Sequence, residues 1–462
     1  MTHVSKLASL RRREFLKRAS AVSVAGTAAP WALQLAAIGE AAAAAAPGDY
    51  KAIVCLFMYG GNDYGNTVVP YDAASYQAYA NIRQALATPR DQLAATALTP
   101  SVALPDSRQM ALAPTMARLK PVFDAGRLAV MLNIGPLMQP TTLAQYKAAS
   151  VPLPPKLFSH NDQSSLWQSS RPEGATSGWG GRMADQFLAS NGNATFSCIN
   201  VSGNAVFMSG GQAVQYQMTS GGAVAVNGAT KPLFGSAACA EALKGLVTGE
   251  RQHWMEQELN RVTARSISAQ GTITTALTNT TLQTPFETNQ LAAQLQTVAR
   301  LIGARAALGA QRQVYFVSIG GFDLHDNLMS QHPGLLGSVA NAMASFDAAL
   351  SELGVSQNVT TFTASDFGRT LSSNGDGSDH GWGSHHLVMG GAVKGGRFYG
   401  QLPSVSVNGP DDVGQGRLLP TTGVDQLAAT LALWMGVAPS ELPRVLPGIV
   451  NFNQKDLGLL AA

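Results

Sequence analysis

The sequence predicts an α/β fold: a mostly parallel sheet with helices on both faces, and an inserted cap region. Three observations lead there. Short β-rich apolar runs alternate with longer segments of helical period. Several runs end in loops of Gly, Asn, Asp or His, the strand ends where open parallel sheets carry function. The 462 residues, 45% hydrophobic and 13% charged, can bury a sizeable core and exclude a disordered or collagen-like chain.

The N-terminus reads Arg11-Arg12-Arg13-Glu14-Phe15-Leu16-Lys17, followed by a weakly apolar run from Ala19 to Ile38 and then Ala41 to Ala46 before Pro47. This is the pattern of a twin-arginine export signal, so residues 1–46 are a signal peptide cut between Ala44 and Pro47. The expected location is periplasmic or secreted. That pathway carries folded proteins, which allows a metal to be inserted before export. Six of the 31 Lys and Arg residues lie in the signal against two acids, leaving 25 against 26 in the mature chain. Such a near-neutral body gives no footing for nucleic acid. No later stretch has the 18 apolar residues of a spanning helix, so no transmembrane segment is expected in the mature chain.

Along the mature chain, residues 47–462, Ile53 to Met58 reads as a buried strand that delivers Asn62 and Asp63 to a loop, and similar runs follow at Leu128–Ile134, Val314–Ile319 and Val359–Ala364. Helical patterns cover Met110–Ala125, Glu241–Ala264, Gln290–Leu308 and Leu335–Leu353. The Gly/Ser/Val-rich region at about 196–284 looks like the insertion or cap. Cys55 sits in an apolar run and reads as a small core residue, whereas Cys198 and Cys239 could pair in an oxidising compartment.

Five of the eight histidines lie in acid-bearing loops: His325, His380, His385 and His386, with His160 in Ser159-His160-Asn161-Asp162. Imidazole and carboxylate together suit zinc, manganese or iron, so these loops are candidate ligands for one or two divalent ions. Asp63 and Asp366 follow strands too, and each could instead cap the next element. Arg369 offers a planar fork for an oxyanion. Trp167 and Trp179 read as packing residues.

The ordered set FMYGGND (57–63), FSHNDQ (158–163), SGWGGRMAD (177–185), GGFDLHDN (320–327), SDFGRT (365–370) and DHGWGSHH (379–386) resembles the secreted family catalogued as domain of unknown function 1501. The likeness runs from about residue 50 to the Trp434-Met435-Gly436 segment. That family is similar to the alkaline phosphatase and sulfatase superfamily, which implies two metals at the strand ends of an alkaline phosphatase-like α/β domain. By this resemblance Asp63, Asp323, His325, Asp366, His380 and His385 are metal ligands, with zinc or manganese as the ion. Ser159 stands at the nucleophile position beside His160, His386 is ligand or general acid, and Arg369 or Arg182 holds the ester oxyanion. Phe367 replaces a histidine that the resembled enzymes carry after this aspartate. No Cys-x-Pro-x-Arg signature is present, which disfavours a sulfatase of the formylglycine type.

Two functions compete at this stage. One is an exported metal-dependent hydrolase acting on phosphate or related esters, with a small-molecule ester or polymer substrate. The other is a non-catalytic exported binding or assembly protein with a degenerate metal site and a secreted protein partner, as the family's genomic company implies. A redox enzyme lacks any haem, iron-sulfur or dinucleotide signature.

Overall fold

Residues 49–461 are described in the computed structural model of the chain, and the expected export signal, residues 1–46, lies outside them. The apolar runs become strands: β1 (Lys51–Met58), β2 (Val68–Pro70), β3 (Met110–Leu112), β4 (Leu128–Gly135), β5 (Cys198–Asn200), β6 (Tyr216–Thr219), β7 (Gly222–Ala223), β8 (Arg312–Ile319), β9 (Val359–Ser365), β10 (Ser384–Met389), β11 (Arg397–Tyr399) and β12 (Thr422–Gly423). Their order in the main sheet is β11-β4-β10-β9-β1-β8-β5-β6-β7, with β12 beside β4, while β2 and β3 pair separately. β1 is parallel to both β8 and β9, and β5 and β6 continue the parallel run. Only β10 and the edge strand β7 run the other way in this sheet.

The helices are α1 (Ala73–Arg83), α2 (Lys120–Asp124), α3 (Leu143–Ala148), α4 (His160–Ser169), α5 (Trp179–Asp185), α6 (Ala237–Thr248), α7 (Trp254–Asn279), α8 (Gln290–Gly303), α9 (Leu328–Glu352), α10 (Val424–Met435) and α11 (Leu442–Val445). Period-two alternation in β1 shows why helices lie on both sides. Ala52, Val54, Leu56 and Met58 enter a core with Leu295 and Val298 of α8 and Val339, Met343 and Phe346 of α9. Ile53, Cys55 and Phe57 enter a second core with Trp179 and Met183 of α5 and Leu427 and Leu431 of α10. Each of these larger apolar side chains contributes about 1.5–3 kcal/mol on burial. A strand apolar on both faces can rest only between two layers.

Several expectations are corrected by the chain's own breakers. Met110–Ala125 is not a helix, because Pro114 and Pro121 each restart it: β3 is followed by a 3-10 turn and the short α2. Gly249 ends α6, splitting the expected 241–264 helix in two. α8 stops at Gly303, and α9 starts earlier, at Leu328, and runs through Pro333. Residues 196–284, expected as an insertion or cap, contribute strands to the sheet itself. Their strands β5 and β6 extend its edge, and Ile273, Ala276 and Leu277 of α7 bury into the α8/α9 core. Cys198 is buried in β5 while Cys239 is exposed on α6, and both are free thiols.

Two buried acids tie the site's supports into this frame. Asp63, just past β1, meets Arg83 of α1 at 2.6 Å, with both side chains at most 2% exposed. Burial pushes the Asp63 carboxyl up, but Arg83 and His332 pull it further down, so it lies below the usual range. The second tie holds α4. Arg182 donates to Ser169 O at 2.7 Å, and Ser170 Oγ donates to Asp425 Oδ1 of α10 at 2.5 Å. Burial raises the Asp425 carboxyl to about 6 against these partners.

Two outcomes follow for stability. Arg83→Ala strands the Asp63 charge, and urea unfolding at pH 7 is expected to show a loss of about 3–5 kcal/mol. Because the folded carboxyl is depressed, the contribution of the pair is present above the unfolded value near 4 and fades as pH falls, so the loss shrinks toward pH 3. Asp425 has the opposite sign. Its raised folded value favours folding only below pH ~4, and this is lost as pH rises through about 6. The melting-temperature difference between Asp425→Asn and wild type is therefore expected to become more positive from pH 4 to pH 7.5; a pH-independent difference contradicts it.

Candidate metal centre

Three parallel strand ends and one helix start meet at Gly60. Its φ is +116°, and a Cβ there would lie 2.3 Å from Asp323 N. Only glycine permits that approach. Gly60 N donates to Asp366 Oδ2 at 3.1 Å, and Arg369 Nη1 donates to Gly60 O at 3.3 Å. The loops after β1, β8 and β9 are thus laced together. β10 returns antiparallel beside β9, so the β9–β10 loop, which carries Asp366, Arg369, Asp379 and His380, stays wholly at this end of the sheet. Gly377 lets that loop press on the β8 loop, since a Cβ there would meet His325 C at 2.2 Å. His160 enters from the first position of α4.

Four side chains converge. His160 Nε2 lies 3.1 Å from His380 Nε2 and 3.4 Å from Asp323 Oδ2. His325 Nε2 lies 2.9 Å from His380 Nε2 and 3.1 Å from Asp323 Oδ1, and His380 Nε2 lies 3.2 Å from Asp323 Oδ1. Ligand atoms at about 2.0–2.1 Å from a tetrahedral zinc stand about 3.3–3.4 Å apart, so the edges among His160, Asp323 and His380 match such a shell, with His325 alongside against His380 and Asp323.

The opposite ring nitrogens explain the convergence. His160 Nδ1 bonds Asp366 Oδ2 at 2.6 Å, His325 Nδ1 bonds Asp379 Oδ1 at 3.3 Å, and His380 Nδ1 bonds the Phe158 carbonyl at 2.7 Å. A carbonyl or ionised carboxylate can only accept, so each Nδ1 carries hydrogen and each neutral ring turns an Nε2 lone pair inward. Lone pairs at 3 Å repel unless a cation or proton sits among them. Burial lowers His380, whereas the hydrogen bond to Asp366 raises His160. A proton on His160 therefore competes with a metal for this space. Asp323 is pushed up by partial burial but pulled down further by Arg369, which donates to its Oδ1 at 2.8 Å, so the carboxylate is charged. The cluster is open on one side: Asp323 and His325 side chains are 45% and 44% exposed. The donor set and its anchored tautomers fit a divalent ion held by His160, Asp323 and His380, with His325 beside them at 2.9 Å from His380 Nε2.

Other expected residues stand elsewhere. Asp63 is not a ligand, because Arg83 and Ser378 occupy its carboxylate. Asp366 orients His160 rather than facing the ion space, and its Oδ1 is buried without a partner. His385 and His386 lie inside β10 and point to opposite faces, against Tyr64 and Trp167 respectively. Burial pushes them down to about 4 and about 3, so both stay neutral and serve packing. Arg369 is fully buried, holding Asp323, Gly60 O and Ser378 O, and Arg182 is spent on Val445 O, Ser177 O and Ser169 O. Neither is free to grip an oxyanion. Ser159 Oγ donates to Asp162 Oδ2 at 2.9 Å. Sequence reasoning missed Asp379 and the Phe158 carbonyl. The first is adjacent to His380 and could have been included on that ground; a backbone carbonyl leaves no residue-type signal. It also missed His332, buried in α9 against Asn62 Oδ1 and lowered to about 4 by burial.

Among solved structures, the chain is similar to a sulfatase from Pseudoalteromonas sp. at 12% identity and TM-score 0.36, over 89% of this chain and 72% of that one. It is similar to the lipoteichoic acid synthase LtaP from Listeria monocytogenes at 6% identity and TM-score 0.31, over 90% and 81%. A variant of the alkaline phosphatase PafA gives 12% identity and TM-score 0.27, over 71% and 64%. At such values these likenesses carry no weight for function, and the fold rests on the topology above. No curated protein matches the chain in sequence. Residues 50–443 match the family model described as protein of unknown function (DUF1501), and across that span the chain belongs to this family.

Proposed function

We propose that this protein is a metal-dependent hydrolase of phosphate or related esters, exported folded through the twin-arginine pathway to the periplasm or beyond. One observation carries the reading: the Nε2 atoms of His160 and His380 converge with the Asp323 carboxylate, His325 Nε2 lies 2.9 Å from His380 Nε2, and every opposite Nδ1 is tied down. His160, Asp323 and His380, with His325 beside them, hold the ion, zinc or manganese by donor type. When bound, it supplies Lewis acidity to an ester oxygen.

The remaining chemistry belongs to the chain. The ester enters on the open side, beside Asp323, His325 and Asp379. Ser159 stands one residue before His160, and its Oγ donates to Asp162 Oδ2 at 2.9 Å; as the serine oxygen bonds phosphorus and the ester O–P bond breaks, Asp162 would take the hydroxyl proton and the leaving alkoxide would be protonated from solvent, after which water would release phosphate and restore Ser159. Arg369 keeps Asp323 charged and in place, and Asp366 fixes the His160 tautomer. No helix among the described residues is long and apolar enough to cross a membrane.

A second reading, an exported binding or assembly protein with a secreted protein partner, is favoured by one feature. The arginine expected to clamp an ester, Arg369, is fully buried and spent on Asp323.

Elemental mass spectrometry on protein exported through its own signal separates them. The hydrolase reading expects about one zinc or manganese per chain, lost in Asp323→Ala plus His325→Ala together with hydrolysis of phosphate mono- and diesters. Ser159→Ala is expected to keep the metal and lose about 10³-fold or more in turnover. Metal retained by the double variant contradicts the centre. Metal bound with no ester turned over, and a secreted protein co-purifying, supports the second reading.

A further inference from the structure

We infer that Phe158 and Arg417 are positioning residues that set the metal affinity of the centre through His380; this rests on the metal centre proposed above. Phe158 has φ +73°, a left-handed conformation that a bulky side chain rarely adopts, and Lys156 two residues earlier has φ +44°. Strained backbone persists only where its surroundings hold it. Here the hold is visible. Gln163 Nε2 of α4 donates to Pro155 O at 3.0 Å, and Ser159 N donates to Lys156 O at 3.1 Å. The Arg417 guanidinium lies over the Phe158 ring at 5.0 Å, and its Nε donates to His380 O at 2.6 Å. The contacts close a ring: the Phe158 carbonyl fixes the His380 imidazole, Arg417 fixes the His380 backbone, and the Phe158 ring fixes Arg417.

The strained turn aims the Phe158 carbonyl at His380 Nδ1, 2.7 Å away, and two residues later the same strap supplies His160. Two of the ligand atoms are thereby placed by residues 156–160. Without the ring contact, His380 is free to rotate or to move its proton to Nε2, which removes the lone pair from the ion. Unlike His160 and His325, whose Nδ1 atoms face carboxylates, His380 has only a neutral carbonyl to hold its tautomer. Its orientation therefore depends on the backbone that presents that carbonyl.

The test pairs folding with metal binding in the full mature chain. Phe158→Gly relieves the positive φ but gives up the ring's packing at the second core, so a cooperative unfolding transition is expected to persist at a lowered melting temperature. Its zinc affinity, measured by chelator competition, is expected to fall about 10- to 100-fold, the range for removing an outer-shell support. The visible spectrum of the cobalt-loaded protein should change in the same variant. Arg417→Ala should give a similar loss, Phe158→Tyr should retain wild-type affinity, and the double variant should lose no more than the larger single one, because both act through one link. Wild-type affinity and an unchanged cobalt spectrum in both Phe158→Gly and Arg417→Ala overturn the inference alone, and if the first fails to fold, Arg417→Ala decides. A wild-type protein that binds neither zinc nor cobalt overturns the metal centre itself, and this inference with it.

Discussion

His380 Nε2 is held about 3 Å from the Nε2 atoms of both His160 and His325 and from the Asp323 carboxylate, with nothing but a shared cation or proton to reconcile them. A folded chain gathers like groups in this way only when other contacts force it. The forcing contacts are the Nδ1 partners, the buried Arg369 against Asp323, and the Gly60 turn that brings the β1, β8 and β9 loops into register. The organisation of this end of the sheet serves that convergence.

The same economy explains which charged groups are absent from it. Asp63 and Arg83 neutralise each other beneath the site, and Arg369 is consumed in fixing Asp323. A buried arginine that satisfies two carbonyls and a carboxylate is a strut, whatever its sequence neighbourhood suggests. The open face is consequently rich in carboxylate and imidazole.

Placement of the ligands also divides by element. Asp323, His325 and His380 ride on loops that leave the sheet, whereas His160 is fixed on a helix bolted at its far end to α5 and α10. Shifts of α4 would therefore move His160 against Asp323, His325 and His380.

The sequence by itself determined the layers and the residue types of the site. Apolar β runs force a sheet buried on both faces, and Asp323, His325 and His380 were legible as donors beside those runs, with His160 in a fourth loop. It could not separate His380 from His385 and His386, since all lie within seven residues; the start of β10 at Ser384 puts the last two inside a strand, where pleating turns them to opposite packed faces. Nor could it show that Asp63 faces an arginine, that Asp366 serves His160 rather than an ion, or that a strained Phe158 carbonyl orients His380. Those facts depend on distances between residues up to 315 positions apart, such as Ser378 and Asp63. Residue type states which atoms can bind. Only packing decides which of them share a point in space, and which are spent on one another before any ligand arrives.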